Sequence, residues 1–267
     1  MRHLTAVLGW PIAHSKSPVL HDAAFAAVGL DAVMVPCAVP PDPPARLLAA
    51  VRGLAAVDAL GASVTVPHKQ TVVAACDQLS PLAAAVGAVN CLVFVDGAVH
   101  GHNTDVDGFV DGLRAAAVPL AGAAIVLGGG GAARAVAAGL GAAGLTTAVF
   151  ARRPEAVTWT AAAPWTALPA HLGDAALVVD ATSAGLDDAA DAALAAAMPW
   201  AALAPTAAVA SLIYHRPTRF LTAAAARGHR TVDGRAMLVY QAARAFTLWT
   251  GVAAPIAAMA AALDASR

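Results

Sequence analysis

Short apolar runs of strand length alternate along this chain with alanine-rich stretches of helical length. Thr5–Leu8, Ala32–Val39 and Ala62–Val66 read as the first three strands, and Pro36 suggests an edge position for the second. Ser17-Pro18 predicts a helix start, with Ser17 as N-cap and Pro18 at the first helical position, and Gly29 a stop. A second helix follows the turn Pro40–Pro44 and ends at Gly53. A short third one opens at Ser80-Pro81 and closes near Gly87. Ala88–Val95 and Ala98–Gly101 flank Asp96-Gly97, the pattern of a tight β-hairpin. The hairpin breaks strict strand–helix alternation, so the first part of the chain should carry a mixed sheet. A helix opened by Asn103-Thr104-Asp105 then runs to about Ala117.

The pattern changes at Ala123–Leu127, an apolar run suited to a buried parallel strand. Gly128, Gly129, Gly130 and Gly131 follow it, and Ala132 and Ala133 lead into a helix reaching about Gly144. Gly128-x-Gly130-x-x-Ala133 fits a dinucleotide-binding turn. One glycine makes the bend, one admits a pyrophosphate, and a small residue lets helix and strand pack closely. Free N–H groups at the helix start suit an anion. A flexible linker would not sit between an apolar strand and an apolar helix. Thr146–Phe150, Leu177–Asp180 and Ala207–Ile213 continue as strands, a helix runs from Pro217 to Gly228, and Asp233-Gly234 precedes a helical end broken at Gly251–Pro255.

A nucleotide domain usually begins with such a turn, yet here a domain's worth of chain comes first. The division expected is 1–104 for a substrate-binding and catalytic domain and 105–234 for a Rossmann-type domain. Residues 235–267 would be helices returning to the first. The fold class is α/β, a mixed-sheet domain followed by a Rossmann-type one, with the reaction between them.

Composition narrows the function. The net charge of −1 gives no reason to expect nucleic acid or an anionic membrane as partner. Hydrophobic residues make up 59%, much of it alanine. The uncharged stretches Ala192–Tyr214 and Ala245–Leu263 are interrupted by Pro199 and Pro205 and by Gly251 and Pro255, so neither reads as a membrane span. The start of the chain lacks a signal pattern, which implies a cytoplasmic protein. Cys37, Cys76 and Cys91 are scattered, and the histidines form no ligand motif, so no metal site is expected.

The candidate chemistry lies where strands end. Ser15 and Ser17 sit between the first strand and its helix, where they either cap the helix or seat a carboxylate. Pro67-His68-Lys69 follows the third strand, at the sheet edge where open α/β proteins bind ligands. Lys69 is a candidate acid or base there, or else a solvated lysine. Asp105 is either a helix cap or a group facing the site. After Thr146–Phe150, an NAD site usually has Asp or Glu; Ala151-Arg152-Arg153 stand there instead, and arginine pairs with a 2′-phosphate. NADP is therefore the expected cofactor. Thr182 and Ser183 form a small polar loop that could line it or simply turn the chain.

In this order and spacing the motifs resemble those of the shikimate dehydrogenase family over nearly the whole chain. They are Gly9–His21, Ser63–Lys69, Gly87–Asn90, Asn103–Asp105, Gly128–Ala133, Ala151–Arg153, Ala181–Ser183 and Gly234–Ala242. The resemblance implies reversible NADPH-dependent reduction of 3-dehydroshikimate to shikimate, a step of chorismate and aromatic amino acid biosynthesis. It implies that Lys69 and Asp105 are catalytic, Lys69 giving the proton during reduction and Asp105 holding lysine and substrate. Ser15, Ser17, Thr65 and Tyr214 would hold the substrate carboxylate. Ser63, Asn90 and Gln241 would read ring hydroxyls, and Gly234 would join the cofactor positions.

Some positions differ from the commoner family pattern: Ser63, Asp180 and Ala151 replace asparagine, Cys91 and Arg153 replace threonine, and Ser211 replaces aspartate. Related dehydrogenases prefer quinate or an aminated shikimate, which stay open as substrates. Also open are a two-domain dehydrogenase of the methylenetetrahydrofolate type and a non-catalytic NADP-binding regulator. The partner expected is a small molecule, and the assembly a monomer or homodimer.

Overall fold

The structure, a computed structural model, describes residues 2–266. It divides into two compact units, one formed by residues up to Asp105 together with those from Val239 on, the other by Val106–Leu238.

In the first unit the strands are β1 (His3–Gly9), β2 (Ala32–Ala38), β3 (Gly61–Val64), β4 (Gln78–Leu79), β5 (Cys91–Val95) and β6 (Ala98–His102). They form one sheet in the order β2-β1-β3-β5-β6-β4. The sheet is mixed, because the Asp96-Gly97 hairpin makes β5 antiparallel to both β3 and β6. Pro36 lies on the edge strand, where its missing N–H is harmless. Alternating side chains serve two cores. Ala6, Leu8, Ala62 and Leu92 pack with Leu47 and Val51 of α2 (Ala45–Ala56). On the opposite side, Val7, Met34 and Cys91 pack with Ala245 and Trp249. The last two belong to α9 (Gly234–Thr250), and α10 (Ile256–Ala265) lies against α1 (Ser17–Ala27), so the C-terminal helices do return to the first sheet.

The second unit has six parallel strands: β7 (Ala123–Leu127), β8 (Thr146–Ala151), β9 (Ala162–Pro164), β10 (Ala175–Asp180), β11 (Ala208–Ser211) and β12 (Thr231–Val232). Their order is β12-β11-β10-β7-β8-β9. The chain reverses its direction of winding between β7 and β10, the place where doubly wound sheets bind ligands. Both faces are covered, which is why β7 and β10 are apolar without alternation. Ala124 and Val126 join Leu113 of α4 (Asp105–Ala115) and Val136 and Leu140 of α5 (Gly131–Ala142). Ile125 and Leu127 join Leu172, Leu194 and Phe220 on the other face, from α6 (Pro169–Leu172), α7 (Asp188–Ala197) and α8 (Arg219–Ala225).

Several local expectations need correction. Helix α2 passes through Gly53, where a Cβ would meet nothing, and ends at Ala56. β3 stops at Val64, leaving Thr65 and Val66 outside it, and the hairpin's first strand begins at Cys91, not Ala88. Lys16, not Ser17, is the N-cap residue of α1; the hydroxyl of Ser15 takes the Ser17 N–H at 3.3 Å instead. The short edge strands β4 and β9 carry no apolar run to announce them. No helix among the described residues is long and apolar enough to cross a membrane.

Candidate active site

β3 and β6 end on the same edge of the first sheet, and antiparallel β5 begins there. This brings three separate sequence motifs side by side, Ser63–Lys69, Gly87–Asn90 and Asn103–Asp105. Val64 donates its N–H to the Asn90 carbonyl at 2.8 Å, and Asn90 donates to the His102 carbonyl at 3.0 Å. The turn after β3 is fastened from two sides. Val89 N–H binds the Lys69 carbonyl at 2.8 Å, and the buried ring of His68 binds the Val39 carbonyl through Nε2 at 2.7 Å.

Lys69 Nζ then reaches Asp105 Oδ2 at 2.7 Å. The two side chains keep 33% and 13% of their surface, so the ammonium meets solvent on one side and its carboxylate partner is largely enclosed. A charge-assisted bond of this length fixes a mobile lysine head far better than a solvated one. Asp105 opens α4, so it also occupies the helix-start position anticipated for it.

Beside this pair lies a buried polar network. Asn90 Oδ1 accepts from the Thr104 N–H at 2.6 Å, while Asn90 Nδ2 donates to Thr104 Oγ1 at 3.0 Å and to Gln241 Oε1 at 3.4 Å. Asn90, Thr104 and Gln241 are all buried, and mutual satisfaction is what makes that tolerable. Ser63 is buried on β3 opposite Cys91, and Thr65 packs its methyl group where a Cβ on Gly9 would stand, 2.6 Å away. Ser15 and Ser17 stand together at the start of α1. Tyr214 belongs to the second unit. Sequence reasoning does not single out His68 or Thr104, although both lie inside recognised motifs, beside Lys69 and Asp105.

In the second unit the glycines have separate physical reasons. Gly128 has φ +121°, and a Cβ there would sit 3.0 Å from the Ala181 carbonyl. A Cβ on Gly129 would press on Val157 at 2.4 Å. Gly130 is extended, with open space in front of it, and Gly131 begins α5. Ala132 leads on to Ala133, which is completely buried against the sheet, where a larger side chain would push α5 away. Trp159, which no sequence motif marks, donates its indole N–H to the Gly129 carbonyl at 3.0 Å and so braces the loop. Ala151 is buried, and Arg152 and Arg153 are exposed just beyond it. Ser183 is exposed, whereas the Thr182 hydroxyl is bound to Asp180 at 2.6 Å. Gly234 is needed for close approach: a Cβ would lie 2.1 Å from the Leu212 carbonyl. An unobstructed glycine at a helix start, with arginines at the neighbouring strand end, fits a phosphorylated dinucleotide.

Comparison with known proteins finds relatives along nearly the whole chain. The family described as shikimate dehydrogenase substrate binding domain matches residues 7–92, and that described as shikimate 5′-dehydrogenase C-terminal domain matches residues 234–263. Shikimate dehydrogenase (NADP(+)) of Gluconobacter oxydans is 42% identical, over 93% of this chain and 90% of its own. The solved structure of shikimate 5-dehydrogenase from Thermus thermophilus, in complex with NADP(H) and shikimate, is 35% identical. It superposes with a TM-score of 0.88 over 99% of this chain and 100% of that one. Quinate dehydrogenase from Corynebacterium glutamicum, in complex with NAD, is 26% identical with a TM-score of 0.87, over 99% of each chain.

Proposed function

Because this chain belongs to the shikimate dehydrogenase family, we propose that it catalyses the reversible NADPH-dependent reduction of 3-dehydroshikimate to shikimate in aromatic amino acid biosynthesis. The observation that carries the reading is the Lys69–Asp105 pair, 2.7 Å apart beside a buried polar network.

NADPH, when bound, supplies the hydride that the C3 carbon of the substrate receives. Negative charge then develops on the C3 oxygen, which needs a proton and a nearby cation. Lys69 meets both needs: its ammonium gives up one N–H proton to that oxygen and is recharged from solvent. Asp105 keeps the ammonium on target and accepts a hydrogen bond from the substrate. In the reverse direction neutral Lys69 takes the proton from the C3 hydroxyl. Ser15, Ser17, Thr65 and Tyr214 hold the carboxylate, and Ser63 and Gln241 read ring hydroxyls. Asn90 reads a ring hydroxyl as well, and its amide holds Thr104 and Gln241 in place. Gly128–Ala133 receive the pyrophosphate; Ala151, Arg152 and Arg153 the 2′-phosphate side; and Thr182, Ser183 and Gly234 complete the cofactor edge. The lack of an acid after β8, with two arginines in its place, supports NADP over NAD. The assignment of residues 1–104 to substrate, 105–234 to NADP and 235–267 to bracing helices belongs to the same reading. So do a cytoplasmic location and a monomeric or homodimeric state.

The test is a spectrophotometric panel at about 340 nm, where the reduced nicotinamide absorbs, with shikimate, quinate and aminoshikimate against NADP and NAD. Shikimate with NADP should dominate; faster oxidation of quinate would reassign the substrate. Lys69→Ala should lower turnover by at least about 100-fold while shikimate still binds. Near-normal turnover would remove Lys69 from the mechanism.

A further inference from the structure

At the C-terminal edge of the second sheet, Asp180 is 1% exposed, a carboxylate at the end of a central strand. An isolated buried charge there would be strongly unfavourable. Asp180 is not isolated: its partners are Thr182, in the loop that leaves β10, and Ser211, the last residue of β11. Oδ1 accepts the Thr182 backbone N–H at 3.0 Å and the Thr182 hydroxyl at 2.6 Å. Oδ2 accepts the Ser211 hydroxyl at 3.3 Å.

Each partner passes the constraint on. Thr182 Oγ1 accepts the Ala184 N–H at 3.1 Å, which turns the chain through Ser183. Ser211 Oγ accepts the Ile213 N–H at 3.4 Å, the Ile213 carbonyl accepts from Gly234 N–H at 3.0 Å, and Tyr214 comes next in the chain. The Asp180 carbonyl takes the Leu212 N–H at 3.3 Å. On the other flank, Ala181 donates to the Leu127 carbonyl at 3.0 Å and presents its own carbonyl to Gly128. Arg216 closes the outer side, its Nε binding the Gly185 carbonyl at 2.9 Å. Thr182, Ser183, Gly234 and Gly128 are thus tied, directly or through one or two intermediates, to a single carboxylate.

We propose that Asp180 is the positioning residue of the nucleotide half of the site, holding the loops after β10 and β11 in the one arrangement that receives the cofactor. It touches no reacting atom. The proposal rests on the dinucleotide reading of this edge. Burial pushes the Asp180 carboxyl above its usual range, and the hydrogen bonds from Thr182 and Ser211 oppose that push. Three donor hydrogens converge on the two carboxylate oxygens, and this geometry ties the donors to the group.

Asn is the informative substitution because it keeps the shape. Its amide oxygen can retain both Thr182 bonds, and its NH2 group can donate to Ser211, whose oxygen also accepts. Ala leaves the Thr182 donors and Ser211 without a buried acceptor.

The experiment uses the full chain as wild type, Asp180→Ala and Asp180→Asn. It reads NADPH affinity by nicotinamide fluorescence, steady-state constants, and amide hydrogen exchange of residues 182–187 and 212–216 without cofactor. The expected result for Asp180→Ala is a rise of about tenfold or more in the KM for NADP, the scale of hydrogen bonds to a charged acceptor. kcat should change less and shikimate affinity within about twofold, with faster exchange in both loops. Asp180→Asn should stay within about threefold of wild type throughout. If Asp180→Ala fails to fold, Thr182→Val removes the hydroxyl that bonds Asp180 and accepts the Ala184 N–H, leaves the Thr182 N–H bond to Asp180 in place, and should speed exchange in residues 182–187. Unchanged exchange and unchanged NADP constants in Asp180→Ala, or in Thr182→Val as its substitute, would overturn the proposal. So would equal losses in the Ala and Asn variants. Failure of the wild type to bind NADPH would instead overturn the dinucleotide reading, while the exchange comparison would still report whether Asp180 orders the loops.

Discussion

In the first unit the candidate groups are side chains that bind one another; in the second they are mainly backbone, exposed by glycine. Lys69 is hydrogen-bonded to Asp105, and Asn90 to Thr104 and Gln241. Gly128–Gly131 offer N–H groups, open space and a helix start, and their shape depends on bracing from outside: Trp159 on Gly129, Ala181 against Gly128, and Asp180 behind Ala181. The contrast follows from the ligands proposed. Proton transfer needs one acid in one place, which only an anchored side chain provides. A pyrophosphate spreads its charge over several oxygens, and a row of backbone donors matches it with little chemistry of its own. The first unit should therefore lose function when its core shifts, and the second when its edge is altered without any change in its core.

The largest effect tests the first half of that statement. Trp249 of α9 donates its indole N–H to the Leu92 carbonyl at 2.8 Å, and it fits only because Gly61 has no side chain. A Cβ on Gly61 would lie 2.0 Å from the indole nitrogen and 2.5 Å from the Leu92 carbonyl. Gly61→Ala must expel the indole, strand that carbonyl and tilt α9, which carries Gln241. Overpacking together with a lost buried hydrogen bond is expected to cost about 3 kcal/mol or more. Urea unfolding followed by tryptophan fluorescence measures it, and a loss below about 1 kcal/mol would show that α9 is not locked through Trp249.

A smaller effect tests the second half. Arg152 is exposed and lies past the end of β8, so Arg152→Ala should leave the unfolding midpoint unchanged. The KM for NADP should rise about tenfold, the worth of a charge-assisted contact to phosphate, while that for NAD barely moves. Equal effects on the two cofactors would sink the 2′-phosphate assignment. A falling midpoint would erase the distinction between edge and core.

These two positions also mark what can be read from sequence. Arg152 is legible because it follows an apolar run in a strand–turn–helix unit, where local order fixes position. The same holds for Lys69 after β3, for the Asp96-Gly97 hairpin and for the glycine loop. Gly61 is not legible, because its reason is Trp249, far along the chain. His68 carries no signal of its own although it adjoins Lys69, since its partner is the carbonyl of Val39 across the sheet. Asp180 reads as the last residue of a strand; that it gathers two loops depends on Ser211 lying beside it in register. The strands β4 and β9 are too short for periodicity to register. Local placement is readable, then, and the supports that hold it are not, because those supports are contacts between distant segments.

The smallest effect concerns such a support and sharpens the picture of the first unit's core. His21 on α1 is completely buried, its ring 4.7 Å from that of Trp249 and 6.1 Å from that of Phe25, and neither ring nitrogen has a hydrogen-bond partner among the described residues. Burial lowers its pKa to about 3. The folded state therefore keeps His21 neutral while the unfolded chain protonates it near pH 6.5. With more protons bound in the unfolded state, stability from this residue is full above pH 6.5 and declines as pH falls toward 3. Between about pH 7 and about pH 5.5 the decline should be about 1 kcal/mol. His21→Leu fills similar space with a group that cannot titrate, so it should lose less stability than wild type over that interval. Parallel pH profiles of the urea midpoint would mean that His21 is protonated in the folded state, and that Trp249 rests on a charged neighbour and not on an apolar one.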